Sequence, residues 1–226
     1  MCGRYANHVG AMHGWTDILS EWPTDAQLGF NLAPTQMIPA FTAVGSAAMR
    51  WGLIPDWVGQ ATTSFSTFNA RLATVAEKPA FKHAWQTAQR CLIPALGYYE
   101  WRQQHGKKQA YFVRRSDGHP TIFAGLYEPA RNQDIPWSCT ILTRPAEDVL
   151  AELHHSMPVS LLPEHGQTWL SGDQEIAEQF AWRNFASEFS FYPVSQLVNS
   201  TANQGCELID PITEQAETNE QRNFDF

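Results

Sequence analysis

Short apolar runs recur along the chain between turn-forming residues. They cover Ala47–Leu53, Cys91–Arg102, Gln109–Arg115, Thr121–Glu128, Trp137–Thr143 and Phe189–Val194, with Gly106, Asp117–Gly118 and Pro136 as punctuation. Runs of this length bounded by turn signals read as strands. Apolar spacing of three and four predicts helices at Trp15–Trp22, which stops before Pro23, and at Glu77–Gln89, Ala146–Leu153 and Gln174–Trp182. Hairpins interrupted by helices predict an α+β fold. The expectation is one domain over residues 1–211, built on a mostly antiparallel, barrel-like β-sheet with flanking helices.

Composition supports a single compact unit, since 226 residues with 43% hydrophobic and 12% aromatic content can bury a substantial core. No stretch approaches the roughly 18 uncharged apolar residues of a membrane span, and the start lacks a basic segment followed by an apolar run. The expected location is cytoplasmic. Cys2, Cys91, Cys139 and Cys206 lie far apart with no zinc-like spacing, so reduced thiols and no metal are expected. No phosphate-cradling glycine loop is present, and no cofactor is predicted.

The formal charge of −8 excludes a protein that coats nucleic acid nonspecifically, because Lys and Arg supply most of that affinity. The segment Ile212–Phe226 holds four acids and one base and reads as a solvated, disordered tail. It accounts for −3 of the charge and leaves −5 for the body. Any contact with DNA must therefore come from a local basic patch.

Candidate chemistry begins at the start of the chain, Met1-Cys2-Gly3-Arg4-Tyr5, where a small second residue is the setting for removal of Met1. An exposed Cys2 would be a 1,2-aminothiol whose amine has a reference pKa of about 7.7–8.0, against about 10.4 for lysine. Such an amine adds to an aldehyde as an imine, and the neighbouring thiol then closes a five-membered thiazolidine. By itself a cysteine at position two is also compatible with an incidental residue.

Three further segments carry candidate groups. Phe68-Asn69-Ala70-Arg71 places an amide and a guanidinium at an expected loop-to-helix junction, suited either to orienting a nucleophile and holding a phosphate or to capping the helix. Gly97-Tyr98-Tyr99-Glu100-Trp101 sets one carboxylate in an apolar strand. If Glu100 faces inward, desolvation raises its pKa toward general acid/base use; strand alternation equally permits a solvent-facing side chain. His154 and His155 follow an expected helix, where one could shuttle protons or both could sit at the surface.

Together these segments resemble the SRAP family, named for SOS-response-associated peptidases, whose members capture abasic sites. The resemblance rests on Cys2-Gly3-Arg4-Tyr5, Asn31-Leu32-Ala33-Pro34-Thr35, Trp51-Gly52-Leu53-Ile54-Pro55-Asp56-Trp57, Asn69-Ala70-Arg71, the Arg90–Trp101 block, His154–Pro158, Pro193-Val194-Ser195 and Asn203-Gln204-Gly205. It implies that Cys2 is the nucleophile, that Asn69 positions its amine, that Glu100 is the acid/base and that His154 transfers protons. It also implies single-stranded DNA containing abasic sites as the partner of a monomer. Arg4 and Arg71 would contact phosphates, Pro34, Trp57 and Trp101 would stack on or wedge against bases, and Thr143 would join the DNA contacts. Autopeptidase and lyase-like activities belong to the same implication.

Departures from the family pattern fall at Ala73 and Leu96, where carboxylates are usual, at His155-Ser156 in place of Asp-Arg, and at Ala202, where a lysine sometimes stands. The four proposed catalytic positions are intact, so the chemistry is expected to persist with shifted DNA affinity. Two competing readings use the same residues differently. An N-terminal-nucleophile thiol peptidase or amidohydrolase would act on itself or on small amides, but needs an oxyanion hole that no motif announces. A passive single-strand-binding module would leave Cys2 idle.

Overall fold

The computed structural model describes residues 2–8, 15, 18, 19, 21–104, 106–183 and 185–212. Met1, whose removal the sequence leads one to expect, and nearly all of the acidic tail lie outside the described residues, as do parts of Trp15–Trp22.

The fold is α+β, with two sheets and three α-helices among the described residues. The first sheet joins β1 (Tyr5–Asn7), β2 (Gly29–Leu32), β7 (Gly97–Gln104), β8 (Lys107–Arg115) and β13 (Phe189–Pro193) in the order β13-β8-β7-β1-β2. The second contains β3 (Met37–Thr42), β4 (Gly45–Trp51), β6 (Arg90–Ala95), β9 (Thr121–Glu128), β10 (Ser138–Pro145), β11 (Ser156–Pro158) and β12 (Ser160–Leu161), with β5 (Asn69–Arg71) attached to β10. Because β10 pairs with both β4 and β9, the pairings β10-β4-β3-β6-β9 return to β10. This ring gives the barrel-like character, without forming a clear barrel. Pairing is antiparallel except where β10 meets β4 and β5.

The helices are α1 (Pro79–Gln86), α2 (Pro163–Ser171) and α3 (Gln174–Ala181). Pro79 and Pro163 each open a helix, where a missing N–H costs nothing. Helix α1 buries Phe81, Ala84 and Trp85 against the core and leaves its first residues facing outward.

Several sequence expectations are refined. Cys91–Arg102 is two strands, β6 and β7, separated at Leu96, whose N–H donates to the Ala6 carbonyl at 2.8 Å. Gly97 allows this close turn, since a Cβ there would stand 2.3 Å from the Val113 carbonyl oxygen. Ala146–Leu153 is a short 3-10 helix, Asp148–Glu152, and Asn69–Arg71 is a strand followed by a 3-10 turn at Leu72–Thr74. In Trp15–Trp22 the described part makes a single turn, Leu19 N–H donating to the Trp15 carbonyl at 2.8 Å.

The core has three clusters. One joins Trp15, Trp85 and Trp169 beneath the helices, a second collects Cys2, Tyr5, Trp51, Tyr98 and Phe123 between the sheets, and a smaller third surrounds Tyr99 and Phe112. All four cysteines are free thiols, and only Cys206 is exposed.

Candidate active site

The antiparallel register of β1 and β7 builds the first part of the site. Ala6 faces Gly97 and Tyr5 faces Tyr98, and the Tyr99 N–H donates to the Arg4 carbonyl at 2.9 Å. Continuing that register carries Glu100 alongside the residues that precede β1, which brings its carboxyl into electrostatic range of the Cys2 thiol. Cys2 is fully buried, and its thiol lies 3.8 Å from the Arg4 carbonyl. Burial first, and the Glu100 charge second, push the Cys2 thiol well above the ordinary thiol range. A thiol so placed stays protonated at neutral pH, and only the thiolate is a strong nucleophile.

Glu100 faces the interior at 5% exposure, which settles the choice left open by strand alternation. Burial pushes its carboxyl up to about 7. A group near that value exists in both protonation states at neutral pH, as a general acid/base requires.

His154 stands between the 3-10 helix and β11, with its Nδ1 3.8 Å from Glu100 Oε1. Ser156 fixes the ring. Its N–H donates to Nδ1 at 3.1 Å in one tautomer, and in the other Nδ1–H donates to its carbonyl at 3.0 Å. The Ser156 hydroxyl adds a contact at 3.3 Å, so the residue in the place of the family's arginine supports His154 directly. Burial holds the His154 pKa below the ordinary imidazole range, which favours a neutral ring at pH 7. His155 is exposed, and its ring centroid lies 4.0 Å from that of His154.

Strand β10 supplies the other wall. On one side Ile141 faces Asn69 and Thr143 faces Arg71; on the other, Thr143 faces Pro158 of β11, three residues past His155. This shared strand places the Asn69 segment next to the histidine segment. Neither short helix is capped by Asn69, since Arg71 and Lys78 occupy those positions. Its amide nitrogen donates to the Phe68 carbonyl at 2.9 Å, while its Oδ1 is buried with no hydrogen-bond partner. A buried acceptor left open is costly, and an incoming N–H would satisfy it.

Asn69, Arg71, Thr143 and Trp57 also line one cavity of about 550 Å³, together with Phe65, Ser66, Thr74, Lys78 and the first turn of α1. Trp57 is 59% exposed and stacks on Phe65, with centroids 6.0 Å apart and planes 24° from parallel. Arg71 is exposed, and its side chain makes no hydrogen bond or ion pair among the described residues. The sequence reading missed Phe65, Ser66, Thr74 and Lys78, whose shared position depends on segments far apart in the chain.

Three expected DNA contacts sit elsewhere. The Arg4 Nη1 donates to Asn31 Oδ1 and to the Val198 carbonyl, both at 2.8 Å, which ties the segment before β1 to residues near the end of the fold. Trp101 donates its Nε1–H to Asn199 Oδ1 at 2.8 Å. Pro34 is half-buried in the turn between β2 and β3, before Thr35 at φ 78°. None of the three lines the cavity. Among the described residues no group of three or more His, Cys, Asp or Glu side chains is arranged to hold a metal, and no helix is long and apolar enough to cross a membrane.

The match to a family model, SOS response associated peptidase (SRAP), covers residues 1–201 and includes every side chain of the candidate site. The chain belongs to the SRAP family. It is 33% identical to the abasic site processing protein YoaM of Bacillus subtilis, with 93% of this chain and 98% of the relative covered. It is 34% identical to the abasic site processing protein YedK of Escherichia coli, over 94% of this chain and all of the relative. A crystal structure of a protein from Bordetella bronchiseptica matches with a TM-score of 0.75 and 26% identity, covering 86% of this chain and 100% of that one. The structural likeness agrees with the α+β architecture.

Proposed function

We propose that this SRAP chain processes abasic sites in single-stranded DNA by forming a covalent crosslink through Cys2 after Met1 has been removed. The observation that carries the reading is the grouping of a buried Glu100, with its carboxyl pushed up to about 7, beside His154 and the Cys2 segment. The naming of YoaM and YedK as abasic site processing proteins supports it.

An abasic deoxyribose opens to an aldehyde at C1′. The Cys2 amine adds to that carbon, with Asn69 Oδ1 accepting from the amine and holding it. Protonated Glu100 gives its proton to the carbinolamine hydroxyl, which leaves as water, and the resulting iminium returns its N–H proton to Glu100 to give an imine. The thiol then adds to the imine carbon, its proton passes to nitrogen, and the ring closes as a thiazolidine. Protein and DNA are joined with the net loss of one water. His154, neutral at pH 7, exchanges protons with Glu100 between steps. A protonated thiol suits this order, in which the amine attacks first and the thiol closes the ring afterwards.

In the reading, Arg71, Trp57 and Thr143 guide the strand through the cavity, and Arg4, Pro34 and Trp101 meet the strand outside it. The crosslinked protein shields the lesion. The test is denaturing electrophoresis of processed protein mixed with an oligonucleotide carrying one abasic site. A denaturation-resistant band lost in Cys2→Ala supports the reading, and its persistence in Cys2→Ala overturns it.

A further inference from the structure

We propose that Lys78, with the first turn of α1, forms a second phosphate subsite on the cavity that Arg71 borders, so that the strand lays one backbone phosphate on each cation. This rests on the reading of the cavity as the path of single-stranded DNA. A chain with a charge of −8 can hold a polyanion only where uncommitted cations are gathered. Most of its arginines are committed internally. Arg50 donates to the Gly52 carbonyl, Arg90 to the Gly172 carbonyl, and Arg115 and Arg144 pair with Asp117 and Glu147. Arg71 and Lys78 are different: both are exposed, neither makes a side-chain hydrogen bond or ion pair among the described residues, and both line the same cavity.

The surroundings of Lys78 strengthen the assignment. It is the residue that precedes α1, its side chain makes no capping bond, and the first turn holds no acidic residue. Pro79, Ala80 and Phe81 of that turn form the cavity wall beside it. Ser66 and Thr74 add hydroxyls able to donate to phosphate oxygens, and a cavity of about 550 Å³ suits a nucleotide-sized occupant. Lys82 supplies an internal contrast, an exposed lysine on the same helix that does not line the cavity.

The experiment is fluorescence anisotropy of an undamaged single-stranded oligothymidylate across a salt series, using wild type, Lys78→Ala, Lys78→Arg and Lys82→Ala. Each phosphate contact on a single strand contributes about 0.7 to the slope of log affinity against log salt. Lys78→Ala is expected to lose about that much slope, with Lys78→Arg retaining it and Lys82→Ala matching wild type. An unchanged slope in Lys78→Ala overturns the proposal, and so does an equal loss in Lys82→Ala. The probe carries no aldehyde, so the outcome is independent of Cys2 chemistry. Crosslinking of an abasic strand by the wild type, measured in parallel, speaks to the capture reading alone.

Discussion

His154 Nδ1 lies 3.8 Å from Oε1 of Glu100, close enough for the two groups to sense each other's charge and too far for a direct hydrogen bond. A proton crossing between them needs a small ring movement or a bridging water. The two side chains come from distant parts of the chain, Glu100 from β7 of the first sheet and His154 from the approach to β11 of the second.

Glu100→Gln and His154→Gln are each predicted to slow adduct formation with abasic single-stranded DNA by roughly 10²-fold, the lower end of general acid/base contributions. Because the two act on one proton, the double variant should be slowed little beyond the worse single. Single-turnover rates by quenched electrophoresis check this. Fully multiplicative losses would show that the residues act separately.

The capture rate of the wild type should be bell-shaped in pH. Deprotonation of the Cys2 amine raises it, with a reference value of about 7.7–8.0. Loss of the Glu100 proton, near about 7, lowers it. Glu100→Gln should abolish the alkaline decline, and an unchanged bell in that variant would assign the decline to another group.

The same shift has a stability consequence. The folded carboxyl titrates at about 7 rather than at its ordinary 4.5, so the native state holds its proton longer than the unfolded chain. Stability therefore falls as pH rises from about 4.5 to about 7, and the full cost is present above that window. Glu100→Gln is predicted to raise thermal stability at pH 8 by an amount on the order of 1–3 kcal/mol, and to change it little at pH 4. Calorimetry at the two pH values decides, and an equal change at both would point to packing instead of charge.

Trp57→Ala and Phe65→Ala should each weaken binding to undamaged single-stranded DNA by about 1–3 kcal/mol through lost stacking. Neither should alter the rate with a small soluble aldehyde, which needs no strand contact. Equal slowing toward the small aldehyde would place the aromatic pair in the chemistry.

Arg4→Ala is predicted to cost stability first, by about 1–3 kcal/mol, because it strands the Asn31 Oδ1 that Arg4 now satisfies, while the Val198 carbonyl keeps its bond from the Asn31 amide at 3.1 Å. Its salt slope for DNA should change less than that of Arg71→Ala. A larger loss of slope than in Arg71→Ala would make Arg4 the principal phosphate contact.

The legible parts of this fold were those with long, regular patterns. Thr121–Glu128 is a strand over the residues the pattern marks, because β6, β10 and β12 pair with it and an unbroken apolar run is what such a strand needs. Strand β3 was hidden by Pro39, a residue that ordinarily excludes a central strand. Pro39 is tolerated there because β6 reaches only Phe41 and Thr42. Asn69–Arg71 is too short for any alternation to show, and the 3-10 helix at Asp148–Glu152 shares its apolar spacing with a true helix. Of the site, Glu100 was visible as a carboxylate out of place in an apolar strand, although its direction was not. The cavity was not visible at all, since Trp57, Phe65, Lys78 and Thr143 become neighbours only through β5 and β10.

The most direct test of thiazolidine capture compares processed wild type with Cys2→Ser, each mixed with an abasic oligonucleotide and read by intact mass spectrometry with and without borohydride. Wild type should give an adduct of protein plus DNA less one water that needs no reductant to survive denaturation, while Cys2→Ser should yield a stable adduct only after reduction of its imine. A wild-type adduct that requires borohydride, or none from protein verified to begin at Cys2, would contradict ring closure by the thiol.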